Sequence, residues 1–76
     1  MTIMIDKTKD GYRLTAHENG HMVAAGADKT VPQAAAWLVK NINRLVADVE
    51  NAVIEAGFLT EAQCTDAAEY GAEHLK

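Results

Sequence analysis

The chain reads as an α+β domain: a three-stranded antiparallel β-meander over the first part, then two helices. Three observations carry this expectation. Two turn dipeptides punctuate the first thirty residues, Asp10-Gly11 and Asn19-Gly20. Two Thr-x-x-Gln capping boxes stand at Thr30 and Thr60. At Thr30 the apolar spacing changes from alternation to steps of three and four.

The strands are expected at about 2–8, 12–18 and 21–27. Asp-Gly and Asn-Gly both favour the two-residue type I′ turn, whose central residues need positive φ. Closing the first hairpin at Asp10-Gly11 pairs Lys7 with Leu14, Ile5 with Ala16 and Ile3 with Glu18. Closing the second at Asn19-Gly20 pairs Ala16 with Val23 and Leu14 with Ala25. One face then collects Ile3, Ile5, Leu14, Ala16, Val23 and Ala25. Asp6, Thr8, Arg13, Thr15 and Ala24 take the other face, with Met4, His17 and Met22 in a cross-strand row. A slip of one residue in either hairpin would scatter the apolar set.

A long helix is expected over about 31–56, opened by Thr30 as N-cap with Pro32 tolerated in the first turn. Ala35, Leu38, Ile42, Leu45, Val49, Ala52 and Ala56 form its stripe, widened by Val39, Val46 and Val53. Gly57 closes it as a C′ residue, with Phe58 set to meet Val53 in a Schellman ending. A short helix over about 61–74 follows, with Leu59 and Cys64 placed as a hydrophobic staple. Its apolar side is made of small residues: Cys64, Ala67, Ala68 and Gly71, with Leu75 beyond. The short linker makes the two helices an antiparallel hairpin.

Seventy-six residues form one domain, 1–76, with limited capacity to hide surface. Its four aromatic residues are Tyr12, Trp37, Phe58 and Tyr70, so the core is thin. A single cysteine excludes an intramolecular disulfide, and no Cys/His spacing suits structural zinc. Helix packing or oligomerisation must compensate, and a homodimer is the expectation. The lone cysteine, with no signal peptide and no membrane-length apolar run, points to a cytoplasmic protein.

Charge is sorted along the chain. Residues 1–44 hold four acids and six bases; residues 45–75 hold seven acids and no Lys or Arg. A polarised field biases which partners a molecule meets. Asp66, Glu69 and Glu73 share one helical face, where like charges cost about 0.2–0.5 kcal/mol per pair. Glu55 sits at the unfavourable end of its helix dipole. Solubility alone accounts for such a face; the sharper reading is a docking surface for a basic protein. The expected contact set is Asp48, Glu55, Asp66, Glu69 and Glu73, with Trp37 either an exposed anchor or the rim of the core. Ile54 raises the same question on the polar side of its helix.

Met4, His17 and Met22 could ligate a soft metal, but thioethers are weak ligands. The plainer reading is an apolar strip that seeds sheet-to-sheet dimerisation. His21 is expected at the hairpin rim opposite Glu18, His74 at a helix C-terminus, and Cys64 in the helix–helix contact as an inert small hydrophobe. There is no phosphate loop, nucleophile elbow or convergent carboxylate pair, so neither an enzyme nor a cofactor is expected. Few bases and a pI near 5.1 argue against direct nucleic-acid binding.

The order of elements in residues 2 to about 42 resembles the N-terminal part of HicB-type antitoxins. The stretches that carry this are Ile3-Met4-Ile5-Asp6, Asp10-Gly11-Tyr12, Gly26 and Thr30-Val31-Pro32-Gln33-Ala34. The chain lacks the family's proline-rich segment in the second strand. The resemblance implies neutralisation of a toxin through a sheet or helix surface. The residues themselves favour a non-catalytic accessory protein that binds a basic or nucleic-acid-binding protein partner stoichiometrically. Phages and other mobile elements commonly carry inhibitors or regulators of this size and charge. A self-associating structural protein is the alternative.

Overall fold

Three short apolar-alternating runs can satisfy their backbone groups only by pairing, and the chain turns back twice to pair them. A computed structural model describes the backbone of residues 1–41 and 46–74, and the side chains of residues 1–41 and 48–70. The elements are β1 (Thr2–Lys7), β2 (Tyr12–Glu18), β3 (His21–Asp28), α1 (Val31–Lys40), α2 (Val46–Glu55) and α3 (Glu61–His74). The strands form an antiparallel sheet in the order β1-β2-β3.

The first hairpin differs from expectation by two residues. Lys7 faces Tyr12, Ile5 faces Leu14 and Ile3 faces Ala16. Its loop is therefore Thr8 to Gly11, with Thr8 N–H donating to Gly11 O at 2.9 Å. Asp10 and Gly11 are not among the residues of positive φ. Gly11 is needed for another reason: a Cβ there would fall on Asp28 O and Lys29 Cα. A shift of two keeps the faces, so Ile3, Ile5, Leu14 and Ala16 still lie together.

The second hairpin closes as expected, with Asn19 at φ 52° and Gly20 at φ 79°, and Glu18 facing His21. A bulge then intervenes. His17 faces Met22 but Ala16 faces Ala24, which leaves Val23 as the extra residue. The faces of β3 are exchanged beyond it: Ala24 and Gly26 turn to the core, whereas Val23 is 41% exposed. The placement of Val23 and Ala25 on the core face is thus corrected. Gly26 gives the reason. A Cβ on it would land on Leu38 N and Ala34 O, so only a glycine on this face lets α1 lie against the strand backbone.

The single long helix is also corrected: α1 ends at Lys40 and α2 begins at Val46. Asn41 caps α1 through its N–H to Trp37 O at 3.0 Å, and its side chain donates to Ala25 O at 2.9 Å. An asparagine that bonds the sheet in this way competes with continued helix. Ile42 and Leu45 lie outside the described residues, as does Leu75, and the side chain of Val46 is likewise undescribed.

The termini behave as their residues dictate. Thr30 Oγ1 accepts from Gln33 N at 3.3 Å. At α3 the capping box is reciprocal: Gln63 N donates to Thr60 Oγ1 at 3.2 Å and Thr60 N to Gln63 Oε1 at 2.9 Å. Gly57 at φ 80° ends α2, with Gly57 N bonded to Ile54 O and Phe58 N to Val53 O, each at 3.0 Å. That is the Schellman pattern.

The largest fully buried side chains are Leu14, Leu38, Val39, Val49, Val53 and Cys64, with no aromatic among them. Helix α1 lies across β2 and β3, α3 packs on α1 and α2, and α2 touches β1 only lightly. The edge strand β1 is the least covered element of the sheet: all of its residues but Ile3 are exposed.

Gly26→Ala and Gly57→Ala separate two uses of glycine. At Gly57 a Cβ meets open space, so strain at positive φ costs about 1–2 kcal/mol. At Gly26 helix and strand must part, and the loss is expected to exceed 2–3 kcal/mol, about the upper range for overpacking. Urea denaturation of both variants checks the order.

Candidate protein-binding surfaces

The sorting of charge along the sequence becomes sorting in space through the sheet register. Pairing Lys7 with Tyr12 and Tyr12 with Asp28 gathers Lys7, Lys9 and Lys29 at one end of the sheet. All three are exposed, and Arg13 stands one pair further in. At the other end, Met1, Glu18, Asp48, Asn51, Ala52 and Glu55 line a depression of about 260 Å³. Asp48 and Glu55 lie one face apart from buried Val49 and Val53, so burying the valines presents the acids to solvent. Glu18 belongs to this cluster and was not among the expected site residues. Its signal was its place as the last residue of β2, beside the turn.

The α3 acids lie elsewhere. Cys64 and Ala67 are buried, which turns Asp66 and Glu69 outward. Asp66 lines a groove of about 410 Å³ between α1 and α3, with Pro32, Gln33, Lys40, Gln63 and Tyr70. Glu73 and His74 lie in α3, but their side chains are outside the described residues.

Trp37 has a fixed position at the rim. Its Nε1 donates to Asp28 Oδ2 at 2.9 Å, and Asp28 Oδ1 accepts from Lys29 N at 2.7 Å. The ring remains 36% exposed. Lys40 Nζ lies 4.8 Å from the Trp37 ring centroid and 4.3 Å from that of Tyr70. The cation therefore ties α1 to α3. Sequence spacing places Lys40 beside Trp37, but nothing local indicates Tyr70 as the second ring. Ile54 packs against the core.

The expected row of Met4, His17 and Met22 is corrected in part. His17 does face Met22, but Met4 faces Thr15 and His17 faces Thr2, because the first hairpin is shifted. His17 Nε2 lies 2.9 Å from Thr15 Oγ1. Among the described residues no three His, Cys, Asp or Glu side chains come together as a metal site. No helix among them is long and apolar enough to cross a membrane.

Cys64 sits in the contact between α3 and α2, its thiol 3.9 Å from Glu50 O. Burial, then the nearby Glu50 charge, pushes its pKa above the ordinary 9.0. No protein-family model, curated protein or solved structure matches this chain.

Two measurements follow from these contacts. Lys40→Met keeps a side chain of nearly the same length and removes the cation; a loss of about 0.5–1 kcal/mol in denaturation is expected. For Cys64, the folded thiol holds its proton more tightly than the unfolded one. Its contribution is therefore full below the unfolded pKa and falls as pH rises through that value toward the folded one. Wild type should lose more stability than Cys64→Ala between about pH 7 and pH 10; equal losses would remove the thiol as the cause.

Proposed function

We propose that this is a non-catalytic cytoplasmic protein that acts by stoichiometric binding, its acidic end docking a basic or nucleic-acid-binding protein. The carrying observation is the gathering of Glu18, Asp48 and Glu55 around one depression, with the lysines at the other end of the sheet. An acid contributed by the strand region joins two from α2, so the local field is stronger than either element supplies alone. None of these three is needed to hold the core, which is built from Leu, Val, Ala and Cys. Asp48 and Glu55 are exposed and Glu18 is half-buried beside them, so all three can reach a partner's surface. Asp66 and Glu69 extend the negative field over α3.

A second reading is toxin neutralisation in the manner of HicB-type antitoxins. The order of three strands followed by a Thr-capped helix favours it.

Affinity capture from host lysate at low and at high salt, read by mass spectrometry, tests both. A stoichiometric basic partner lost at high salt is expected, because surface attraction is screened. Asp48→Lys with Glu55→Lys should keep the circular dichroism spectrum and abolish capture. Retained capture by that variant removes the acidic end as the docking site. A captured protein whose expression alone arrests growth supports the antitoxin reading.

A further inference from the structure

We propose that β1 is a self-pairing edge: two copies of the chain join antiparallel along Thr2–Lys7, about a twofold axis at Met4, into one continuous sheet. This does not rest on the acidic end being a docking site.

The edge is exposed at every residue but Ile3, with Met4 the apolar residue of its outer face and Ile3 and Ile5 those of its helix face. Met4 on the outer face is 49% exposed, and Ile5 on the helix face is 45% exposed, since α1 lies across β2 and β3 and α2 touches β1 only lightly. The opposite edge of the sheet is not equivalent. There Asn41 occupies Ala25 O, and α1 lies against β3. An uncovered edge presents a row of unpaired N–H and C=O groups that templates another strand.

The sequence of β1 selects the occupant and the register. Thr2-Ile3-Met4-Ile5-Asp6 has the same pattern of apolar and polar residues in both directions around Met4. An isologous antiparallel contact requires this, since each residue meets the twofold image of another. With Met4 on the axis, Ile3 faces the partner's Ile5, Ile5 faces the partner's Ile3, and Thr2 faces the partner's Asp6. Moving the axis to Ile5 would set Met4 against Asp6 and Ile3 against Lys7.

The backbone agrees. Thr8 N–H bonds Gly11 O, so alternation along the ladder directs Thr2, Met4 and Asp6 toward β2. The groups of Ile3 and Ile5 then point to the open edge, where the paired register needs them. Met4 meets its own image in a close pair that makes no hydrogen bonds.

Charge supports the same orientation. Antiparallel pairing sets the Glu18, Asp48 and Glu55 end of each copy alongside the Lys7 and Lys9 end of the other. Parallel pairing would set like ends together.

Sedimentation equilibrium and thiol cross-linking test the proposal. Wild type is expected to be a dimer, and Ile5→Lys to raise the dimer Kd about tenfold or more with an unchanged circular dichroism spectrum. Met4→Cys in a Cys64→Ala background should oxidise to a covalent dimer, since a close cross-strand pair meets disulfide geometry. Met22→Cys in the same background should not. A monomeric wild type overturns the proposal, as does cross-linking through Met22→Cys in place of Met4→Cys, which would indicate stacked sheet faces. If Ile5→Lys fails to fold, the cysteine pair decides. Capture of a basic partner by Ile5→Lys is scored separately, so failure of the acidic end and failure of the edge are distinguishable.

Discussion

The approach of α1 to the backbone of Gly26 is the constraint on which the other features depend. A strand residue without a Cβ lets Ala34 and Leu38 reach the sheet directly. For Gly26 to face inward, β3 must change phase relative to its hairpin, and the extra residue Val23 supplies that change. The bulge is therefore part of the helix–sheet contact. The same contact brings Trp37 within reach of Asp28 and Asn41 within reach of Ala25 O. It also draws α1 toward β3, which is why Ile5 stays exposed although it lies on the core side.

A small core obliges this arrangement. Burying a Leu or Val is worth about 1.5–3 kcal/mol, and the fully buried large side chains are few. Alanines at 34, 35 and 67 are buried but add little area, and small side chains let neighbouring elements approach closely. Cys64 works in the same way, filling the α2–α3 contact while its thiol meets Glu50 O. The lysine between Trp37 and Tyr70 adds a clamp at the rim, where those two large aromatics stand outside the fully buried core.

What was legible in the sequence was what local chemistry decides. Strand extents, the Asn19-Gly20 turn, both Thr caps, the Gly57 ending and α3 needed only neighbours within a few residues. Local chemistry is not enough where a distant element decides. Asp10-Gly11 looks like a type I′ turn, but Gly11 is required by the passage of Asp28 and Lys29, which no local pattern encodes. The inward residues of β3 were misplaced because Gly26 carries no hydrophobic signal, although it is the residue that α1 needs. The long helix was split by Asn41, whose partner is in β3. Of the site, the acids were legible as a charge asymmetry. Glu18 was not, because its cluster exists only once α2 lies near the β2–β3 turn.

Self-pairing and partner docking draw on one charge distribution, and they are compatible. In the proposed pair each acidic end lies beside the other copy's basic end, which offsets part of the field locally. The chain carries −4, so two copies carry −8, twice that value, and the pair as a whole remains negative. The α3 acids are little affected, because α3 packs on α1 and α2 and not along the β1 edge. Pairing would thus cover the bases more than it covers the acids, leaving a dimer whose exposed field is more uniformly negative than that of either copy. Such a field favours encounter with basic surfaces and disfavours nucleic acid itself. The sorting of charge along the chain would then serve two ends at once: it sets the antiparallel sense of the pair, and it leaves the pair with a surplus of acid.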